Sequence, residues 1–207
     1  MTRQLLPGTP FLLHKYDDYD QYLTHQASKF NWLQHADYLN TATQEYRKRL
    51  RKILKELSLI KKGVSVLCLG SRAGGEVMAF RDLGCKAIGI DLNPEPSSKT
   101  VIYGDFHNLA WDDNSLNIVF TNSIDHSIQP DRLTSEVLRV LMPGGLFITQ
   151  ILPGSQEGYT FGHFEAMAWP YTQDVVDYIT NRGFTVIARR KVGGQLPGEL
   201  IAFRSRE

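Results

Sequence analysis

The 207-residue sequence has only two cysteines, almost no net charge and no long apolar run. Cys68 and Cys85 both lie in apolar stretches, so we expect reduced core thiols, as in a cytoplasmic protein, with a disulfide between neighbouring strands as the alternative. The formal net charge of +1 provides no overall field that would attract nucleic acid or an anionic membrane. Because no run of about 18 apolar residues exists, no membrane-spanning helix is expected.

Several catalytic and cofactor motifs are also missing. The six histidines show no H-x-x-x-H or H-E-x-x-H spacing and the cysteines form no C-x-x-C pair, so no metal site is predicted. The absence of a G-x-S-x-G elbow disfavours a hydrolase of that type. The absence of G-x-x-x-x-G-K-[ST] disfavours a P-loop nucleotide site.

The composition is that of one folded domain of ordinary size, with 42% hydrophobic and 22% charged residues. The first sixty residues are rich in tyrosine and histidine, and a helical periodicity runs from about residue 41 to 59. We therefore predict an N-terminal helical cap over residues 1–62. Positive residues on the outer face of this helix are typical of a solvated surface, with attraction to an anionic substrate or cofactor as the alternative. They are Arg47, Lys48, Arg49, Arg51, Lys52 and Lys55.

After Gly63 the sequence alternates between apolar strand patterns and amphipathic helix patterns. This alternation predicts an α/β fold: a doubly wound, mostly parallel sheet with helices on both faces. Thr172 is the predicted N-cap of the last helix. The final two strand patterns have no helix between them, so they should form a C-terminal antiparallel hairpin. Residues 63–207 are predicted to be the ligand-binding domain, in one compact unit with the cap.

A glycine loop follows the first strand of this series. Gly70 and Gly74 provide the backbone freedom for a tight turn close to a ligand, and the next helix directs free N–H groups there. Asp91 ends the second strand, where a carboxylate can accept hydrogen bonds from two ribose hydroxyls. The G-x-G-x-x-G fingerprint fails because Arg72 takes the place of its second glycine, which disfavours a nicotinamide oxidoreductase.

Four segments in order carry a specific resemblance: VLCLGSRAGGE, AIGIDLNP, YGDFHNLAWDDNSLNIVFTNSIDH and EVLRVLMPGGLFI. Together they resemble the class I S-adenosylmethionine-dependent methyltransferases, in particular the broad type 11 subgroup, over residues 64–151. The resemblance implies a Rossmann-like methyltransferase fold. It also implies S-adenosyl-L-methionine as the cofactor and S-adenosyl-L-homocysteine as the product.

The resemblance also implies which residues hold the cofactor. The glycine loop would approach its methionine end and ribose, and Asp91 would bind the ribose hydroxyls. Asp105 would contact the adenine amino group, with Leu92 and Phe106 beside the ring. The reactive methyl group would face the acceptor near the end of the fourth strand. The full predicted set is Gly70, Ser71, Arg72, Gly74, Glu76, Asp91, Leu92, Gly104, Asp105, Phe106, Asn122 and Ser123.

The sequence departs from the family pattern at two positions. Cys68 stands where the family has an acid in the strand, so the positive amino group of the cofactor needs another partner. Glu76 is the candidate, although a glutamate in the first turn of a helix also complements the helix dipole. Arg72 stands where the family has a glycine. It could pair with the cofactor's carboxylate or point to solvent.

Residues after the fourth and fifth strands are candidates for the acceptor side. His126 could act as a general base, with Asp125 orienting it or acting alone, or it could line the pocket without titrating. Tyr159, His163 and Trp169 could form an aromatic wall for a sugar or an aromatic acceptor, or the loop could pack on its own small core. The segment around residues 14–26 could cover the cofactor as a lid.

We therefore expect an enzyme that methylates an oxygen or nitrogen of a small-molecule or glycan acceptor, such as a sugar or nucleotide sugar in biosynthesis. One alternative is a methyltransferase acting on protein or RNA, with the basic helix at residues 47–55 as its docking face. Another is a non-catalytic module that binds the cofactor. No membrane partner is expected, and the low net charge disfavours a nucleic-acid partner.

Overall fold

The computed structural model describes residues 2–29, 32–193 and 197–206, with only the backbone described for residues 32–39. Ten strands and five helices follow one another along these segments. In chain order they are β1 (Arg3–Leu5), β2 (Leu12–His14), α1 (Tyr19–Ala27), α2 (Trp32–Leu57), β3 (Ser65–Leu69), α3 (Gly75–Asp82), β4 (Lys86–Asp91), β5 (Val101–Tyr103), β6 (Leu116–Thr121), α4 (Pro130–Val140), β7 (Leu141–Ile151), β8 (Met167–Ala168), α5 (Thr172–Thr180), β9 (Phe184–Val192) and β10 (Gly198–Ser205).

Seven of these strands form the central sheet, in the order β5-β4-β3-β6-β7-β10-β9. The first five strands in that order pair parallel to one another. Strand β10 runs antiparallel to both of its neighbours, β7 and β9. The predicted mostly parallel sheet with a C-terminal antiparallel hairpin is therefore confirmed.

Side-chain alternation along the strands divides the interior into two cores. Val66 and Cys68 of β3 point to the core beneath α2 and α3, whereas Leu67 and Leu69 point to the core beneath α4 and α5. Successive side chains of a strand face opposite sides of a sheet, so a continuous apolar run is what a strand covered on both faces needs. Cys68 and Cys85 are buried, free thiols, as the sequence predicted.

Two local boundaries differ from the sequence predictions. Helix α2 begins at Trp32, about nine residues earlier than its periodicity suggested. The N-cap of α5 is Tyr171, not Thr172, because Asp174 Oδ2 accepts a hydrogen bond from the Tyr171 backbone N–H. The Thr172 hydroxyl instead donates to Glu157.

The N-terminal segment contains a hairpin in addition to the predicted helices. Strands β1 and β2 pair antiparallel, and β2 also pairs with β8, which makes a separate three-stranded sheet. The Arg3 guanidinium donates to the backbone oxygens of Gly162 and Glu165. The beginning of the chain is therefore attached to the loop that follows β7.

Helix α2 packs on α3 and shares its core. Leu50 and Leu54 are fully buried on the inner face of α2, against Val77 and Phe80 of α3. Outside this contact, Arg47 pairs with Asp82 at 2.6 Å. Within the described residues, no helix is both long enough and apolar enough to cross a membrane.

Candidate active site

Two connected clefts open at the carboxyl edge of the parallel strands, where β3 and β6 lie side by side. From β3 the chain continues to β4 on one side, and β6 continues to β7 on the other, so the edge between them is a topological switch point. Gly70 follows β3 and lies against Ser123, which follows β6. A Cβ on Gly70 would come within 2.8 Å of the Ser123 side chain, and the φ of Gly70 is +67°, so only glycine fits there.

The smaller cleft has a volume of about 440 Å³ and is lined mainly by residues that the sequence analysis selected. These are Gly70, Arg72, Asp91, Leu92, Gly104, Phe106 and Ser123. Tyr22, Gln26 and Lys29 complete it from the N-terminal segment. The Tyr22 ring is fully buried, and its hydroxyl has no hydrogen-bond partner among the described residues. The cleft thus offers a polar atom that a ligand could satisfy.

Asp91 is held in a fixed orientation at the end of β4. Its Oδ2 accepts from the Arg72 backbone N–H at 2.9 Å, and its Oδ1 accepts from the Asn93 N–H at 2.8 Å. Arg72 makes its bond from a left-handed backbone conformation, with φ +42°, which explains why the related position is a glycine in the family pattern. Each carboxylate oxygen keeps a further lone pair for a ligand.

The larger cleft, about 860 Å³, continues from the smaller one past Lys29, Gly70, Arg72, Ser123 and His126, which line both. Of the predicted cofactor residues, Ser71, Glu76 and Asn122 also line it. Residues of α2 that the sequence analysis did not select, Ala42, Thr43 and Tyr46, form part of its wall.

Glu76 lines the larger cleft and offers a carboxyl group there, whereas Cys68, at the strand position discussed above, does not. Cys68 is completely buried, and burial raises the pKa of its thiol, so it stays neutral. Glu76 is 5% exposed, and burial, reinforced by the Asp91 charge, raises its pKa to about 8 despite the opposing effect of Arg72. A cationic group bound beside Glu76 would favour its ionised form.

His126 lies in a short 3-10 turn, Ile124–His126, directly after β6. Its Nδ1 is 2.7 Å from the Phe164 backbone oxygen, which can only accept, so Nδ1 carries the proton and Nε2 has the lone pair. The Lys29 ammonium donates to Nε2 at 3.0 Å. Burial, followed by the Lys29 charge, lowers the pKa of His126, so the ring is neutral at pH 7.

Asp125 and Glu165 complete a polar cluster around His126. Ligand atoms of the three side chains lie within 4.8 Å of one another, and burial raises the pKa of Asp125 to about 6. An Asp-His-Glu set could bind a metal ion. Here the Lys29 ammonium already donates to the lone pair of His126 Nε2. The cation in this cluster is therefore a lysine side chain and not a metal ion.

The aromatic wall predicted for the acceptor is only partly formed. Tyr159 lines the larger cleft, whereas His163 packs against His25 and Phe164, outside both clefts. The prediction for Trp169 is wrong, because its ring is 1% exposed and its Nε1 donates to the Leu152 backbone oxygen in the core. Phe161 packs on this buried ring. Most of the loop therefore packs on its own small core.

Two predicted cofactor residues line neither cleft in the described part of the chain. Gly74 is the N-cap of α3, and its φ of +76° favours glycine, so its role is to begin that helix. Asp105 faces the N-terminal segment instead: its Oδ2 accepts from the Tyr19 hydroxyl at 2.6 Å and its Oδ1 from the His107 N–H at 2.8 Å. The structure adds Tyr22, Gln26, Lys29, Tyr46 and Glu165 to the site.

Comparisons with known proteins agree on one class. A family model described as a methyltransferase domain matches residues 67–149. Residues 67–149 are therefore similar to a methyltransferase domain. An uncharacterized methyltransferase of Mycobacteroides abscessus is 31% identical over 134 residues, which are 54% of this chain and 51% of that protein. The chain thus spans about half the length of this relative.

Solved structures share the fold of this chain. The Burkholderia thailandensis 1,6-didemethyltoxoflavin-N1-methyltransferase, solved with 1,6-didemethyltoxoflavin and S-adenosylhomocysteine, superposes with a TM-score of 0.70, covers 100% of both chains and is 14% identical. A protein of Pyrococcus horikoshii superposes with a TM-score of 0.60 over 79% of this chain and 92% of its own, at 24% identity.

The cofactor of this methyltransferase class is S-adenosylmethionine, and the residues of the two clefts fit it. Asp91 suits a ribose. The Tyr22 hydroxyl, which has no partner among the described residues, lines the same cleft as Leu92 and Phe106, whose side chains offer apolar surface for a ring. Arg72 lines the larger cleft as a cation and suits the carboxylate of a methionine, and Glu76 lines it as a carboxyl group that would ionise beside the cationic amino group.

Proposed function

We propose that this protein is an S-adenosylmethionine-dependent methyltransferase that methylates an oxygen or nitrogen of a small-molecule or glycan acceptor, nucleotide sugars included. The supporting observation is the joining of the two clefts at Gly70, Ser123 and His126. One cleft has the groups that suit a nucleoside, and the other has a base-like histidine and room for a second molecule.

Four side chains would hold the cofactor, which supplies an electrophilic methyl group. Asp91, fixed by two backbone N–H groups, would accept from the ribose hydroxyls. Glu76 would pair with the amino group and Arg72 with the carboxylate of the methionine end. Tyr22 would donate or accept a hydrogen bond at the nucleoside, a contact that its hydroxyl does not make with any described residue.

His126 is the proposed proton acceptor. When the acceptor heteroatom forms its bond to carbon it loses a proton, and the neutral ring can take that proton on Nε2. The Phe164 carbonyl fixes Nδ1–H and thereby keeps the Nε2 lone pair facing the cleft. For this step Lys29 must release Nε2. Asp125, 3.6 Å from Nε2, would then stabilise the imidazolium.

Coverage of the site supports an acceptor of limited size. Helix α1 and the loop after β7 meet above His126, where the Gln26 side chain donates to the Phe164 backbone oxygen at 3.0 Å. The Lys29 ammonium lies 5.8 Å from the Phe164 ring centre in the same contact. A small molecule can be enclosed there, whereas a folded macromolecule would have to displace this cover. The polar cluster around His126 favours catalysis over a purely structural cofactor site.

The cofactor assignment predicts the effect of Asp91→Ala. Removing the carboxylate should weaken S-adenosylmethionine binding at least tenfold, about 1.4 kcal/mol, as measured by isothermal titration calorimetry. Asp112→Ala is the matched control, because Asp112 is exposed and lies outside both clefts. Equal affinities for wild type and Asp91→Ala would contradict the cofactor site.

The acceptor assignment predicts the effect of His126→Gln. Candidate sugars, nucleotide sugars and aromatic alcohols or amines are screened with wild-type protein by detecting S-adenosylhomocysteine. With an acceptor in hand, His126→Gln should lower kcat by about 10²-fold or more and leave the cofactor Kd within about twofold, because glutamine keeps polarity but cannot accept the proton. Unchanged kcat would eliminate the general-base role and leave the cofactor site standing.

A further inference from the structure

A groove larger than either cleft lies between the C-terminal half of α2 and the end of α3. It has a volume of about 1290 Å³ and is lined by six cationic side chains. Four of them follow one face of α2 at helical spacing, and the other two come from the loop before β3 and from α3. They are Lys48, Arg51, Lys52, Lys55, Lys62 and Arg81.

The positive charge of this groove is not compensated locally. Asp82 is the acid that lines it, and its carboxylate is already bonded by two nitrogens of Arg47. None of the four groove lysines has an ion-pair partner among the described residues, and all four are exposed. The nearby Glu56 pairs with Arg190 instead. The net charge of +1 therefore conceals a strongly cationic surface.

The groove is separate from the two clefts of the methyltransferase site. Lys62 precedes β3 and Gly84 precedes β4, so the groove lies at the amino edge of the parallel strands. The clefts lie at the opposite, carboxyl edge. A ligand in the groove could not present its atoms to His126 without extending around the sheet.

We propose that this groove binds the phosphate backbone of a nucleic acid. Its cations recur along α2 about once per turn, about 5.4 Å, which is similar to the spacing of successive phosphates along a strand. Lysines are well suited to such point contacts. A concave surface fits a strand better than it fits a flat membrane.

The lining also predicts how the nucleic acid is recognised. Leu83 is the one large apolar side chain that lines the groove in the described part of the chain, and no aromatic ring does. An acidic protein segment would lack apolar anchor sites there. Without aromatic rings the groove has no stacking platform for successive bases, so binding should follow charge more than sequence.

Fluorescence anisotropy with a labelled 20-nucleotide polyuridylate RNA tests this proposal on the full chain. Wild type should bind, with affinity falling steeply as salt increases. Lys52→Glu/Lys55→Glu should weaken binding at least tenfold and reduce the salt slope by roughly 1.4, about 0.7 per lost phosphate contact. The matched control is Lys15→Glu/Lys191→Glu, which changes the charge equally at exposed positions outside the groove. It should bind nearly as wild type does.

Three outcomes would overturn the proposal: no RNA binding at low salt, equal weakening in both double variants, or stronger binding of polyglutamate or of anionic phospholipid vesicles than of RNA. Calorimetry with S-adenosylhomocysteine is run on the same variants. Because the groove and the clefts are on opposite edges, the affinity for S-adenosylhomocysteine should not change in Lys52→Glu/Lys55→Glu. Failure of RNA binding would therefore not count against the proposed methyl transfer, and failure of methyl transfer would not count against RNA binding in the groove.

Discussion

Glu76 provides, from helix α3, a carboxyl group that the family pattern has in the strand before the glycine loop. Cys68 stands at the strand position where the family pattern described above has an acid, and burial keeps its thiol neutral. Glu76 is the second residue of α3, in its first turn, and faces the larger cleft. Burying a carboxyl costs stability, and the Arg72 charge offsets only part of that cost, so the position of Glu76 is consistent with a role toward a cationic ligand group.

Glu76→Gln should change how stability depends on pH. The folded-state pKa of about 8 lies above the ordinary value of 4.5, so the unfolded chain loses this proton first as the pH rises. The stabilising contribution of protonated Glu76 to the free energy of unfolding is therefore fully present below pH 4.5 and is lost progressively up to about pH 8. Glu76→Gln does not titrate, so its free energy of unfolding should decline less between pH 5 and 8, as measured by urea denaturation. Glu45→Gln, an exposed control, should keep the wild-type slope.

An equal pH slope in Glu76→Gln and wild type would show that Glu76 is not held in its neutral form. The same variant should also bind S-adenosylmethionine more weakly than wild type at pH 8, because an amide cannot pair with a cationic amino group. Removing the buried acid would then increase stability at that pH and decrease affinity.

Sequence reasoning located residues well where a short motif fixes the backbone. Gly70, Asp91 and Ser123 follow directly from strand ends, and strand ends of one sheet meet at one edge. Asp105 and Trp169 were placed less well, because the direction of a side chain in a loop depends on distant partners. Tyr19 holds Asp105 from 86 residues away, and the core beneath the loop takes up the Trp169 ring.

At the scale of elements, periodicity identified the long amphipathic helices and the buried strands but missed the shortest pairings. Strands β1 and β2 have three residues each and β8 has two, too few for any pattern to be visible. Their pairing is decided by the tertiary contact between the N-terminus and the loop after β7.

Helix α1 is the element that joins the N-terminal segment to the site. It brings Tyr22 and Gln26 to the smaller cleft, with Lys29 just beyond its end. It is anchored by Tyr19, whose hydroxyl contacts both Asp105 and His107, while the other nitrogen of the His107 ring contacts Ser127. This chain of hydrogen bonds connects the cover to the loops after β5 and β6, so the cover and the cleft should respond together to a ligand.

At the scale of the whole molecule, the alternation of strands and helices was sufficient to predict the layers of the fold. Two separate surfaces result from that arrangement: connected clefts at the carboxyl edge and a cationic groove at the amino edge. The groove could not be predicted from the helix alone. Its concave shape requires Lys62 and Arg81, which only the folded chain brings opposite α2.

Cofactor binding should stabilise the entire chain in a single transition. The clefts are built from residues as far apart in sequence as Tyr22, Asp91 and Glu165, so a ligand that fits them binds only the folded state. At 100 times its Kd, S-adenosylhomocysteine should add about 2.7 kcal/mol, which corresponds to a rise in Tm of roughly 5–11 °C for a chain of this size. Differential scanning calorimetry should show one peak that moves as a whole, and Asp91→Ala should move less at the same concentration. A second peak that stays in place would mean that the N-terminal 62 residues unfold independently of the sheet, contrary to the core that α2 and α3 share.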